Sequence, residues 1–178
     1  MKRGLGDEID LDGMDLLRLD NQLCFALYAT TRAITSTYRH KLAPVGLTYP
    51  QYLVLLVLWE EDGITLSRIG ERLQLDSGTL TPLLKRMEKL NLVRRQRSSE
   101  DEREIGIWLE AKGKELRDSV LEARKFVACR LGMSEDEIAA LRTDLMEILQ
   151  RLRNFTEQGE GENPEAEEHA RPMPPQKV

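Results

Sequence analysis

A chain of 178 residues with a net charge of −5 is long enough to bury one sizeable core. Its longest apolar run, Leu53 to Trp59, falls well short of the roughly 20 residues a membrane-crossing helix requires, so no membrane-spanning segment is expected. Asp7, Glu8, Asp10 and Asp12 stand where a secretion signal would carry its apolar stretch, which points to the cytoplasm, and Cys24 and Cys129 lie too far apart for a metal cluster or a dense disulfide framework.

The first dozen residues, with Gly4, Gly6 and alternating acids, form no apolar pattern, and residues 1–14 are expected to be flexible. Leu16, Leu19, Leu23, Leu27 and Ile34 then recur at spacings of three, four and seven, the stripe of a long first helix that ends before Pro44 and Gly46. Pro50 suits the first turn of a second helix, whose apolar run from Tyr52 to Trp59 predicts burial nearly all round. Leu66 to Leu73 predicts a short third helix with Thr65 as its cap. After Gln74 to Asp76, the stretch Thr79 to Leu90 predicts a fourth helix, with Leu80, Leu83, Leu84 and Met87 inward; Pro82 leaves either Asp76 or Thr81 as its cap. Two helices joined by so short a connection make a helix-turn-helix.

The period then changes. Val93 to Arg97 and Ile105 to Leu109 alternate polar and apolar residues on either side of a polar stretch, the pattern of a two-stranded hairpin, or wing. Beyond Gly113 the helical period returns through Leu116, Val120, Val127 and Leu131. Ser134 with Glu137 three residues on is a capping box opening a last helix, whose Ile138, Leu141, Leu145, Ile148, Leu152 and Phe155 form a heptad seam that calls for a partner helix. Residues 156–178 are rich in Gly, Glu and Pro, and predict a disordered acidic tail. The fold class is thus mainly α with a small β-hairpin, a winged helix-turn-helix. Trp59 and Trp108 are expected in the core, and His40 at the surface of a helix end.

The negative net charge hides an uneven distribution. Thr65 to Arg103 holds nine Lys or Arg against six Asp or Glu, whereas Met1 to Asp20 and Asn154 to Val178 are acidic. A helix that enters the major groove must be slim at its N-terminal end and carry donors for bases and phosphates. Ser77, Gly78, Thr79 and Thr81 are small at the start of the fourth helix, and Lys85, Arg86 and Lys89 follow. The wing adds Arg94, Arg95 and Arg97, with Arg103 near its tip, where a narrow minor groove attracts an arginine. Double-stranded operator DNA is the expected partner.

From Asp15 to about Phe155 the chain resembles the MarR family of dimeric bacterial repressors. The wing signature of that family, an Asp two residues before an Arg, is Asp101 and Arg103 here. By resemblance, Arg103 enters the minor groove, Asp101 orients the wing, and Ser77, Thr79, Arg86 and Arg95 fall at base and phosphate contacts. The resemblance also implies a homodimer in which the first helix and the last two interleave, in keeping with the unpaired seam. The expected organisation is then 15–49 for the first dimerisation helix and sensor site, 50–110 for the winged helix-turn-helix, and 111–155 for the C-terminal dimerisation helices.

Cys24 lies on the first helix with Tyr28 at i+4 on the same face. Tyr38 returns to nearly that face after 14 residues, but the helical rise puts it roughly 21 Å away, out of reach within one chain. If two first helices cross antiparallel, Tyr38 of one chain approaches Cys24 of the other, and Tyr49 could close the same pocket. A thiolate attacks a peroxide O–O bond, and phenol donors favour its charged form. Cys24 is expected too deep in its helix for the N-terminal dipole to contribute. This pattern resembles the organic hydroperoxide regulators, the OhrR group of the family, and the second cysteine resembles their two-cysteine class. That likeness implies that Cys24 is oxidised, that Cys129 of the partner subunit resolves it as an intersubunit disulfide, and that the operator is then released. Leucines and Phe25 nearby favour apolar organic hydroperoxides as the oxidants. No cofactor, metal or enzymatic turnover is expected. Two other functions fit parts of the pattern: a regulator released by a small phenolic ligand, with structural cysteines, and a thiol peroxidase, which has no need of a wing.

Overall fold

The computed structural model describes residues 16–97 and 105–159. They form two compact units that divide after Leu131. The first contains a 3-10 turn at Leu19–Asn21, α1 (Leu23–Leu42), a second 3-10 turn at Ala43–Val45, α2 (Tyr49–Glu60), α3 (Leu66–Leu73), α4 (Ser77–Lys89), β1 (Val93–Arg97), β2 (Ile105–Leu109), α5 (Ala111–Glu115) and α6 (Arg117–Leu131).

The first helix is shorter than its apolar stripe predicts. Gln22 is extended at φ −85° and ψ 112°, and α1 starts only at Leu23. Asp20 and Asn21, which compete with the backbone for hydrogen bonds, sit in the preceding 3-10 turn. The Gln22 amide Nε2 donates back to the carbonyls of Arg18, at 3.2 Å, and Leu16, so the approach to the helix is tied by a side chain.

The core gathers around α2, as its all-round apolar sequence requires. Val54, Leu55 and Leu58 meet Leu42 of α1, Ile69 of α3, Leu80, Leu84 and Met87 of α4, and Ile107 of β2, each essentially inaccessible to solvent. Asp76 caps α4, its carboxylate accepting the Thr79 N–H at 2.8 Å. The choice between Asp76 and Thr81 is thereby made, and Pro82 stands inside the helix.

β1 and β2 pair antiparallel in the register Val93↔Leu109 to Arg97↔Ile105. A third strand segment that the sequence pattern does not reveal adds to β2: Ile107 N–H donates to Ile64 O at 2.9 Å, Gly63 N–H donates to Ile107 O at 3.0 Å, and Thr65 bridges Gly106. Alternation along β2 turns Ile107 and Leu109 inward and Trp108 outward. Trp108 is therefore a 37% exposed surface residue and not a core one, with the Arg94 guanidinium 5.2 Å from its ring centre. Gly63, at φ +82°, lies under that indole, where a Cβ would come within 2.5 Å of ring carbons.

The hairpin hands over to α5 through a close approach. Glu110 N–H donates to Leu92 O at 3.0 Å, and a Cβ on Gly113 would sit 2.3 Å from that same oxygen. The Gly113 carbonyl accepts the Trp59 indole N–H at 3.1 Å. The helix expected after Gly113 is thus two helices, one turn of α5 and then α6, whose Val120, Ala123 and Val127 are buried.

Among the described residues, the second unit holds the helix α7 (Glu135–Gly159). Its capping box is formed as the sequence predicts: Ser134 N–H donates to Glu137 Oε2 at 2.8 Å and Glu137 N–H to Ser134 Oγ at 3.2 Å. The helix runs four residues into the expected tail, through 156–159. Among its described side chains none is buried, and Leu141, Leu152 and Phe155 of the heptad seam are exposed.

Candidate nucleic-acid interface and thiol site

Four buried side chains of α4 turn the opposite face of that helix to solvent. Ser77, Gly78, Thr79, Pro82, Lys85, Arg86 and Lys89 are exposed there, with Thr81 half-buried. Asp76 Oδ2 also accepts the Thr79 hydroxyl at 2.8 Å, so the proton of that hydroxyl is spent in the cap. These bonds, the backbone one first, hold the Asp76 carboxyl below the usual carboxylate range. Arg86 Nε donates to the Pro82 carbonyl at 3.2 Å, laying its stem along the helix.

The wing arginines fall on two faces. Arg94 points outward beside Trp108 and pairs with Glu110, Nε to Oε1, at 3.6 Å. Arg95 turns the other way, its side chain only 20% exposed and its guanidinium 4.0 Å from Glu88 of α4. Asp101 and Arg103 lie outside the described residues, as does the Arg97 side chain.

Cys24 is the second residue of α1 and is exposed. The expectation that it lies deep in the helix is corrected by the break at Gln22. First-turn N–H groups lack intrahelical acceptors and carry the positive end of the helix dipole, and the sulfur stands at that end. Tyr28 is exposed, its hydroxyl accepting from Arg32 NH1 at 2.9 Å with the guanidinium over its ring; this leaves the phenol its own proton to donate. Cys129, in the last turn of α6, is also exposed.

At the far end of α1 the remaining tyrosines come together. Tyr38 stacks on Tyr52 at 5.2 Å between ring centres and tilts against Tyr49 at 5.2 Å, and Tyr49 and Tyr52 are 5.6 Å apart. Tyr52 is the member that sequence reasoning missed, although its i+3 spacing from Tyr49 on α2 puts both on one face. Burial first, then the neighbouring Tyr38, pushes the Tyr49 phenol up; burial and a hydrogen bond with Tyr38 push Tyr52 up further. All three rings are partly or wholly buried, and Tyr49 and Tyr52 stay neutral O–H groups at physiological pH.

Beside Tyr49 opens a groove of about 780 Å³. Its α1 wall is Arg32, Thr35, Ser36 and Arg39, a helical stripe of polar residues, and Leu47 and Pro50 lie opposite. The groove beside Tyr49 thus joins two arginines and several hydroxyls to an apolar side of Ala43, Leu47 and Pro50. Phe25 and Leu27 are exposed on the N-terminal half of α1.

A helix-turn-helix backed by a two-stranded hairpin, with Thr65 bridged to its second strand, defines the winged-helix class of transcription regulators. Within that class the chain belongs to the MarR family, on the relatives that follow. Residues 36–120 match the family model described as transcriptional regulator SarA/Rot. The chain is 51% identical over 134 residues to the HTH-type transcriptional regulator TtmR of Methylorubrum extorquens, covering 75% of this chain and 69% of that protein. It is 43% identical over 138 residues to the organic hydroperoxide resistance transcriptional regulator of Bacillus subtilis, covering 78% of this chain and 94% of that one. Among solved structures, AbfR of Staphylococcus epidermidis is 40% identical and matches with a TM-score of 0.66 over 79% of this chain and 97% of its own. AbfR has also been solved in reduced form on DNA and with a disulfide formed.

Proposed function

We propose that this regulator is a cytoplasmic homodimeric repressor that binds operator DNA through α4 and the wing and is released when an organic hydroperoxide oxidises Cys24. The observation that carries this reading is the arrangement of α1, with an exposed cysteine in its first turn and a cluster of neutral phenols at its other end. Two such helices crossing antiparallel bring the Cys24 of one chain to Tyr38 and Tyr49 of the other. The crossing also covers Leu19, Leu23, Phe25 and Leu27, which one chain leaves in solvent. The exposed seam of α7 supplies a second self-complementary surface. The names of the Bacillus relative and of the AbfR structures, reduced on DNA and disulfide-formed, lend support.

In the chemistry proposed, the Cys24 thiolate attacks the terminal peroxide oxygen. The O–O bond breaks, the leaving alkoxide takes a proton to become an alcohol, and Cys24 becomes a sulfenic acid. The Cys129 thiol of the partner subunit then displaces hydroxide from that sulfur, giving a disulfide and water. Ser77, Thr79, Thr81, Lys85, Arg86 and Arg103 serve the DNA contact in this reading, with Asp101 orienting the wing.

The test is a DNA-binding titration with and without cumene hydroperoxide beside a non-reducing gel. Wild type is expected to lose binding and give a dimer-sized band reversed by dithiothreitol, Cys24→Ser to stay bound, and Cys129→Ser to give no such band. A Cys24→Ser protein that releases DNA like wild type would sink the redox reading. It would favour the second one, a small acidic or phenolic ligand held in the groove of Arg32 and Arg39, whose cationic lining suits such a ligand.

A further inference from the structure

One carboxylate joins the recognition helix to the wing. Ile107 turns both of its backbone groups away from β1, to Ile64 and Gly63, so the pair Arg95↔Ile107 exchanges no ladder hydrogen bonds. The Arg95 N–H consequently faces the open edge of β1, where Glu88 Oε1 of α4 accepts it at 3.1 Å. The other oxygen of the same carboxylate stands 4.0 Å from the Arg95 guanidinium. Arg95 Nε is buried without a hydrogen-bond partner among the described residues. Among the described residues, the Glu88 carboxylate is the group that pairs with that guanidinium.

An edge strand offers unpaired N–H groups to a partner. α4 ends at Lys89 and β1 begins at Val93 after a turn through Asn91 at φ +57°. Val93, Ile107 and Leu109 seat the hairpin in the core, and the carboxylate adds a cross-link to α4. Glu88 spans the turn with two contacts, one to backbone and one to charge.

We propose that Glu88 is a positioning residue for DNA recognition, which through Arg95 locks the wing at a fixed angle to α4 so that major-groove and minor-groove contacts form together. This rests on the DNA-binding reading above, and assigns Arg95 an internal role in place of the DNA contact that the family resemblance implies.

The sign of one substitution separates this from simple electrostatics. Removing a carboxylate beside DNA tightens binding if charge alone matters, whereas loss of positioning weakens it. The probe is a duplex carrying the site that wild-type protein selects from a random pool. Glu88→Gln and Arg95→Met are each expected to weaken binding about tenfold, with an unchanged slope of log affinity against log salt and a double variant no worse than either single. Hydroxyl-radical protection at the minor-groove flanks is expected to fall while guanine N7 protection in the major groove persists. Arg95→Lys, which keeps the charge pair, should retain flank protection, guarding against a misfolded Arg95→Met. Tighter binding by Glu88→Gln, a salt slope reduced by about one in Arg95→Met, or additive losses would overturn the proposal. A wild-type protein that selects no site would overturn the DNA-binding reading along with it.

Discussion

The two carboxylate oxygens of Asp76 each take a donor from Thr79, the backbone N–H and the side-chain hydroxyl, both at 2.8 Å. The cap fixes the slim end of α4, and leaves Thr79 its lone pairs and methyl outside the cap. Because these bonds hold the Asp76 carboxyl low, its stabilising effect is present above the ordinary carboxylate range near 4 and fades as pH falls through the lower folded value. Asp76→Ala should therefore melt below wild type at neutral pH, with the gap closing in acid. A gap of constant size down to strongly acidic pH would show that the cap acts through packing and not through charge.

The tyrosine cluster makes the opposite prediction at high pH. Tyr49 and Tyr52 have raised folded values, so their contribution is complete below about 10 and is lost as pH climbs through those values. A spectrophotometric titration should show late-ionising phenols, the delay vanishing in denaturant. Tyr52→Phe should reduce the late-ionising amplitude and move alkaline unfolding to higher pH.

Gly113 is where the wing returns to the body of the protein. A methyl there meets the Leu92 carbonyl at 2.3 Å, and that oxygen is already engaged by Glu110 N–H. Gly113→Ala is expected to destabilise by about 1–3 kcal/mol, read as an earlier midpoint in urea. An unchanged midpoint would mean that α5 shifts freely against the hairpin.

Leu84 ties α4 to the core and is fully buried. Truncation to alanine should cost roughly 2–5 kcal/mol through lost burial and a residual cavity. Lys85→Ala beside it, exposed, should leave chemical unfolding within about 0.5 kcal/mol of wild type. Comparable losses from both would place Lys85 in the packing rather than at the surface.

Much of this molecule is written in its local pattern. The turn between α3 and α4, the strands of the wing and the Ser134 cap of α7 all follow from apolar period, cap residues and turn chemistry, which act over a few neighbouring residues. Those signals made the winged-helix class and the exposed basic face of α4 legible from the sequence, as well as the apolar stripe of α1 that one chain leaves uncovered. Only the tertiary structure broke the first helix at Gln22, so bringing Cys24 to a helix end, paired Ile64 and Thr65 with β2, turned Trp108 to solvent and drew Tyr52 into the phenol cluster. It alone set Glu88 against Arg95, seven residues on and across a turn. Such contacts depend on which edge or face two elements present to each other once the core has closed, a geometry that no single periodicity encodes.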